Sequence, residues 1–135
     1  MLLSLLSIGD VKNLWFLFLD CTGIKMVKLV KRPWGKFKQF VLNQKCTVKI
    51  LELLPNEELS LQLHKKREEE WYFLTSGIVQ IGKNKKMVKK GETVHIGKNI
   101  PHRLISGNKE VLVLEISFGN FEEGDEIRLE DKYGR

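Results

Sequence analysis

Residues 59–64 alternate leucines with polar residues, and this pattern places two potential metal ligands together. Successive side chains of a β-strand point to opposite faces, so Gln62 and His64 share the face opposite the leucines. Glu69 lies five residues beyond His64, and His102 opens a later apolar segment. Imidazole, carboxylate and amide ligands suit a divalent ion such as Zn, Mn, Co or Fe. The spacing fits either a metal site inside a barrel or a polar stripe on the wet face of an edge strand.

Short predicted strands must position these side chains. From residue 27 onward, apolar segments with alternating or continuous patterns are separated by turns rich in Gly, Asn and Pro. Strands are predicted over 37–42, 47–54, 59–64, 71–74, 78–81, 87–88, 93–96, 101–105 and 111–117. Residues 65–70 are predicted to form a polar loop. Many short strands with such turns favour an antiparallel barrel or sandwich, so the predicted class is all-β.

The composition fits one globular domain of 135 residues with a net charge of +6. The lysines at positions 83–90 have no aromatic residues between them, and no nucleic-acid motif is present. We therefore predict a solvated basic surface and no nucleic-acid partner. A basic groove for small phosphorylated ligands would use the same charge.

The first 26 residues are predicted to be a hydrophobic extension that precedes a domain over 27–135. The longest apolar run of this extension, 14–19, is too short to cross a bilayer, and it lacks the features of a signal peptide. Cys21 and Cys46 fit a reducing compartment, so we predict a cytoplasmic protein with no membrane partner. If the extension were exposed to solvent, it would form a large apolar patch. We therefore predict a homodimer in which the extension buries against the partner subunit or against the outer wall of the barrel.

Several motifs in a fixed order resemble one known family. Residues 59–71 resemble the first cupin motif of type II phosphomannose isomerases, a domain that also forms the C-terminal part of bifunctional isomerase/mannose-1-phosphate guanylyltransferases. Further matches are RPWG at 32–35, GE at 91–92, IPHR at 100–103, LE at 114–115, Gly119 and IRLEDKYGR at 127–135. The resemblance extends from about residue 31 to the C-terminus.

The resemblance implies a cupin barrel, which is a double-stranded β-helix, and a set of four metal ligands. These ligands are Gln62, His64, Glu69 and His102. The stretch that follows His64 is one residue longer than the family pattern leads us to expect, so either Glu69 or Glu70 is the carboxylate ligand. We favour Glu69, because a turn absorbs an insertion more easily than a strand does.

The resemblance also implies interconversion of mannose 6-phosphate and fructose 6-phosphate. This reaction needs a base, a cation that stabilises the enediol oxyanion, and an anchor for the phosphate. Glu69, His102 and Glu115 are the candidate bases, and the sequence does not distinguish them. The predicted substrate-binding residues are Lys66, Arg67, Arg103, Arg32 and Arg128, of which the last two serve either as phosphate contacts or as structural ties. An ion pair with a neighbouring glutamate is the alternative for Arg67.

Two departures from the family pattern bear on function. Lys66 occupies a position that is often His in the family, so Gln62 and His64 supply the ligand pair of this strand. The sequence also has no glycine-rich nucleotide loop, so we do not expect guanylyltransferase activity from this chain. Two functions remain: a stand-alone isomerase, or a non-catalytic cupin that binds a sugar phosphate or nucleotide sugar as the partner of a separate guanylyltransferase.

Overall fold

The computed structural model describes residues 13–15 and 27–135, and these form strands, turns and one short 3-10 helix. The predicted all-β class is therefore confirmed. The chain divides into two compact units, residues 1–44 and 45–135. The domain boundary predicted from the sequence lies nearer the N-terminus, between residues 26 and 27. The predicted burial of the N-terminal extension falls outside the described residues.

The first unit contains a three-stranded antiparallel sheet. Its strands are β1 (Asn13–Trp15), β2 (Lys28–Arg32) and β3 (Gly35–Gln39), in that order across the sheet. Arg32 is exposed at the end of β2, and its guanidinium carbon lies 5.8 Å from the centre of the Phe37 ring.

The second unit consists of two antiparallel sheets. Its elements are β4 (Cys46–Leu53), β5 (Leu61–His64), β6 (Glu68–Phe73), β7 (Gly77–Ile81), β8 (Asn84–Val88), β9 (Thr93–Ile96), β10 (His102–Ile105), β11 (Val111–Phe118), the 3-10 helix Glu123–Asp125 and β12 (Glu126–Glu130). One sheet has the order β12-β5-β10-β7-β8, and the other has the order β4-β11-β6-β9.

A hydrophobic core lies between these two sheets. Its buried members are Leu53, Trp71, Phe73, Val79, Val88, Val94, Ile96, Leu104, Val111 and Val113, which come from both sheets. They occupy alternate positions along β6, β9 and β11, as expected for strands with one face turned inward. The other face of β4 is open to solvent, since Val48 and Ile50 are 54% and 58% exposed.

The polar loop predicted at 65–70 is shorter in the structure, because β6 begins at Glu68. Its glutamates have partners on both faces of the strand. Glu69 points into the barrel, whereas Glu70 Oε2 lies 3.0 Å from His95 Nδ1 on the opposite face. Residues 68–70 are thus polar because their carboxylates pair with groups of the fold, and not because they form a solvated loop.

Strand β12 was not predicted from the sequence, yet it borders the site. It pairs with β5, with Glu126 opposite His64 and Arg128 opposite Gln62. Among the described residues, no helix has the length and apolar character needed to cross a membrane.

Candidate metal centre

Three buried side chains converge between the two sheets of the second unit: His64, Glu69 and His102. Each offers one potential ligand atom, and these atoms all lie within 4.8 Å of one another. Their exposed fractions are 2%, 1% and 0%. The histidines come from the neighbouring strands β5 and β10, and the glutamate comes from β6 in the facing sheet. The fold thus brings together three of the four predicted ligands from separate parts of the chain.

His102 is oriented by the backbone. Its Nδ1 lies 2.7 Å from the carbonyl oxygen of Ile100 and donates a hydrogen bond to it. In a neutral ring this hydrogen bond leaves a lone pair on Nε2. The Nε2 atom is buried and has no hydrogen-bond partner among the described residues, and Glu69 Oε2 lies 3.5 Å from it, which is longer than a normal hydrogen bond. A buried acceptor therefore faces a carboxylate oxygen.

His64 presents its Nε2 to the same point. This atom lies 3.1 Å from Glu69 Oε1 and 3.3 Å from Arg67 Nη2. The two imidazole rings are close neighbours, with 5.1 Å between their centres. Both nitrogens that face the interior are thus directed towards the Glu69 carboxylate.

Glu69 is held by two donors outside the histidine pair. Arg67 Nε donates to its Oε1 at 3.1 Å, and Trp71 Nε1 donates to its Oε2 at 3.0 Å. Burial alone would raise the pKa of Glu69. Its hydrogen bonds and charge interactions with His102 and His64 lower the pKa by more than burial raises it, so the net pKa lies below the usual range. The carboxylate is therefore ionised, which is the state that binds a metal.

Gln62 lies beside this cluster and is 9% exposed. Its Oε1 accepts a hydrogen bond from Ser60 Oγ at 2.8 Å, and its Nε2 lies 3.5 Å from His64 Nε2. Rotation of the terminal amide by half a turn exchanges the two atoms and brings the oxygen to the histidine. In that orientation Gln62 can act as a ligand.

The donor set fits a divalent ion. Ligand atoms bound to one ion at 2.0–2.2 Å lie about 3–3.5 Å from each other. The two Nε2 atoms lie 3.1 and 3.5 Å from the Glu69 oxygens. A cation at this point would also stabilise the facing lone pairs of His102 and Glu69. Of the two candidate glutamates, Glu69 faces the cluster, whereas Glu70 lies on the opposite face of β6, against His95.

The turn before β6 is fixed by the 3-10 helix. Asp125 is buried, and its carboxylate accepts hydrogen bonds from the backbone N–H groups of Lys65 and Lys66, at 3.2 and 2.9 Å. Gly119, with φ of +99°, passes so close to this turn that a Cβ atom would lie 3.2 Å from the Lys66 carbonyl oxygen. These contacts set the position of Arg67, which follows directly.

Glu115 is a second buried carboxyl group of the interior. It lies on β11, opposite Trp71 of β6, and its Oε1 is 3.4 Å from Ser117 Oγ. Burial, together with the negative charge of Glu69, raises the pKa of Glu115 from 4.5 to about 7. Glu69 and Glu115 therefore differ in protonation near neutral pH.

The predicted substrate-binding residues have separate locations. Lys66 is exposed and pairs with Glu122 at 2.8 Å, whereas Arg67 is buried against Glu69. Arg103 neighbours His102 in sequence but points to the other face of β10, where it pairs with Glu58 and Glu130. Arg32 belongs to the first unit. Arg128 is exposed, lies opposite Gln62 and pairs with Glu126 at 3.0 Å.

Sequence reasoning missed two residues next to the cluster, Lys49 and Phe121. Lys49 Nζ and Arg67 Cζ lie 4.1 and 4.5 Å from the centre of the Phe121 ring. Lys49 shares the inward face of β4 with Leu51 and Leu53. A lysine in phase with inward-facing leucines was the available signal.

Solved structures with the same fold support the cupin assignment. A protein from Klebsiella pneumoniae with a double-stranded β-helix domain aligns with a TM-score of 0.57 at 12% identity, over 78% of this chain and 84% of that chain. A cupin protein from Bacteroides fragilis aligns with a TM-score of 0.50 at 16% identity, over 66% of this chain and 92% of that chain. At these identities the likeness shows the fold alone, which is a cupin double-stranded β-helix.

Relatives in sequence are larger proteins. The mannose-1-phosphate guanylyltransferase ManC of Salmonella typhimurium is 34% identical over 113 residues, which are 82% of this chain and 24% of that protein. The alginate biosynthesis protein AlgA of Pseudomonas aeruginosa is 34% identical over 110 residues, 78% of this chain and 23% of that protein. The chain spans about a quarter of the length of these relatives.

A family model covers most of the chain. Residues 20–131 match the model described as mannose-6-phosphate isomerase C-terminal. This match includes the motifs at 59–71 and 100–103 that carry the cluster, and the named relatives place such domains in mannose metabolism. The chain therefore belongs to the family of mannose-6-phosphate isomerase C-terminal domains.

Proposed function

We propose that this chain is a metal-dependent sugar-phosphate isomerase that interconverts mannose 6-phosphate and fructose 6-phosphate. The observation that carries the proposal is the buried convergence of His64, Glu69 and His102, with the His102 lone pair facing the Glu69 carboxylate. Family membership supports the choice of substrate. A bound Zn, Mn, Co or Fe ion would stabilise the negative charge that develops on the sugar oxygens during enolisation.

The chain's own residues divide the remaining tasks. His64, His102, Glu69 and the amide oxygen of Gln62 would hold the ion. Arg67 and Trp71 fix the Glu69 carboxylate through hydrogen bonds of 3.1 and 3.0 Å. Such outer contacts orient a ligand and tune its affinity for the metal. In this proposal Arg67 therefore positions a ligand rather than gripping the phosphate.

Glu115 is our choice for the group that moves the proton between C1 and C2. Of the three candidate bases, Glu69 is engaged by Arg67 and Trp71, and His102 is fixed by the Ile100 carbonyl and directed at Glu69. Glu115 is instead hydrogen-bonded to the neutral hydroxyl of Ser117 and stands outside the ligand cluster, so its carboxyl group remains able to accept and donate a proton.

A coupled assay of the purified protein tests the proposal. The chelator-treated protein is supplied with zinc, manganese, cobalt or iron(II), and formation of fructose 6-phosphate from mannose 6-phosphate is followed. We expect turnover that requires an added ion and that falls at least about 100-fold in Glu115→Gln. The Glu70→Gln variant is the matched control, because this glutamate lies on the opposite face of β6 and should retain activity.

One result would move the chain to the alternative function. Tight binding of mannose 6-phosphate by calorimetry, with no turnover under any of the four metals, would contradict isomerase activity. The chain would then be a sugar-phosphate-binding cupin, and Lys66 in place of the family's frequent histidine would be the first position to exchange.

A further inference from the structure

Lys49 is the cation whose location fits an anion-binding role at this site. It lies on β4, and its cross-strand partner on β11 is Glu115, which in turn lies opposite Trp71. The same row of the sheet thus connects Lys49 with the polar interior. Lys49 lowers the pKa of Glu115, which shows that its charge acts on this interior. Its side chain is also 40% exposed, so a ligand can reach it from solvent.

The contacts of Lys49 are weak ones. Its ammonium lies 4.1 Å from the centre of the Phe121 ring and 3.6 Å from Glu123 Oε1. The Glu123 side chain is 79% exposed, and exposed ion pairs at this distance contribute little. The Phe121 ring also contacts the Arg67 guanidinium, so it holds the Lys49 ammonium near Arg67. An incoming anion can therefore replace Glu123 at low cost.

Two of the sequence-predicted anchors, Arg103 and Arg67, are more firmly engaged than Lys49. Arg103 is buried between Glu58 and Glu130, and Arg67 is buried against Glu69 and His64. Withdrawing the Arg67 guanidinium would leave the buried Glu69 carboxylate and the buried His64 imidazole without this partner, which is costly. Arg103 lies on the opposite face of β10 from His102. Lys49 has no such buried partner among the described residues.

We infer that Lys49 is the residue that binds the phosphate group of the ligand at the mouth of the barrel, with Phe121 as the platform that holds its ammonium in place. The inference rests on the proposed function for the identity of the sugar. The chemical class that Lys49 selects is a phosphomonoester, and the unphosphorylated sugar lacks the group that it recognises.

Calorimetry on the full chain, with equal metal content in every sample, tests this inference. Mannose 6-phosphate, mannose and inorganic phosphate are titrated into the wild type and into Lys49→Met, Lys49→Arg and Lys85→Met. The last is the matched control, since Lys85 is an exposed lysine on the strand β8. Melting temperatures establish that each variant is folded.

The expected pattern is specific to phosphate. Lys49→Met should weaken binding of mannose 6-phosphate roughly 10-fold to 100-fold, as for loss of a charge-assisted hydrogen bond. The affinity for inorganic phosphate should fall by a similar factor, and the affinity for mannose should stay the same. Lys49→Arg should retain most of the affinity, and Lys85→Met should match the wild type. Equal affinities for mannose 6-phosphate in the wild type and Lys49→Met would overturn the inference, as would failure of the wild type to bind either phosphate compound.

The outcome is separable from that of the proposed function. Loss of phosphate binding in Lys49→Met, in a protein that shows no turnover, would support the anion site and contradict the isomerase. Turnover with the same KM in the wild type and Lys49→Met would support the isomerase and contradict the anion site. If both hold, KM should rise in Lys49→Met with a smaller change in kcat.

Discussion

The interior of the barrel has two ends that are built from the same strands. Along β6, the inward positions run from Glu69 through Trp71 to Phe73. Along β11, they run from Glu115 to Val113 and Val111, and in β10 His102 is followed at the next inward position by Leu104. One end of each strand therefore lines the cluster of His64, Glu69 and His102, and the other end lines the hydrophobic core.

This difference separates the residues that stabilise the fold from the residues that could bind a cation. At the apolar end, burial of large side chains stabilises the fold by about 25 cal/mol per Å². At the polar end, burial of charge costs free energy unless each group is paired. Glu69 is paired with Arg67, whereas His102 Nε2 has no hydrogen-bond partner in the described part of the chain. Apolar burial at the other end offsets this free-energy cost, so His102 Nε2 can stay unpaired and available to a cation.

The largest expected effect comes from the apolar end. Phe73→Ala should lower the free energy of unfolding by about 3–5 kcal/mol, because Phe73 is fully buried in the core. Urea denaturation measures the loss. The folded fraction should keep its metal affinity, and a loss below about 1 kcal/mol would show that the apolar end does not carry the stability.

At the polar end, His102→Ala should reduce metal affinity at least about 100-fold, with a smaller loss of stability in the chelated protein than Phe73→Ala causes. Competition with a chromophoric chelator measures the affinity. His95→Gln serves as the control, because His95 lies against Glu70 on the outer face of the sheet. Equal effects of the two histidine variants would place the metal elsewhere.

Glu115 gives the comparison a pH dependence. Its pKa is raised from 4.5 to about 7, so the neutral form is favoured in the folded state. The stabilisation is complete below about pH 4.5 and is lost as the pH rises through about 7. Glu115→Gln avoids this loss. In chelated protein it should raise the free energy of unfolding by on the order of 2–3 kcal/mol at pH 8–9, and by much less at pH 5. Parallel stability curves for the two proteins across this range would contradict burial of the carboxyl.

The smallest expected effect lies where the two ends meet. Trp71→Phe keeps most of the buried ring but removes the 3.0 Å hydrogen bond to Glu69. Metal affinity should fall about 10-fold, as for other groups that orient a ligand, and stability should fall by about 1–2 kcal/mol. Chelator competition and thermal melting measure the two quantities. A loss of stability without any loss of affinity would assign Trp71 to the core alone.

Much of the cluster follows from strand alternation. The period of two in residues 59–64 was sufficient to place Gln62 and His64 on one face. The same period could have placed Arg103 opposite to His102, and could have identified Lys49 from its phase with Leu51 and Leu53. Arg103 directly follows the predicted ligand His102, but adjacent residues of a strand point to opposite sides, so Arg103 faces away from the cluster.

Other features depend on contacts between distant segments and could not be read locally. The run 68–70 is polar throughout, and its strand state follows from partners that lie 25 residues or more away, such as His95 for Glu70. The turn argument favoured Glu69 over Glu70, but which of the two side chains faces the cluster depends on the register of β6 against β9 and β11. Strand β12 likewise forms because β5 offers it an edge.

Anomalous diffraction from crystals soaked with cobalt or zinc tests the central claim most directly. The account predicts one strong peak between the sheets, about 2.0–2.2 Å from His64 Nε2, His102 Nε2 and a Glu69 oxygen, with the Gln62 amide oxygen turned towards it. Glu115 and Lys49 should lie near the ion without binding it. A well-ordered structure in which the metal lies outside this cluster, or in which Arg67 still contacts His64 Nε2 at saturating metal, would contradict it.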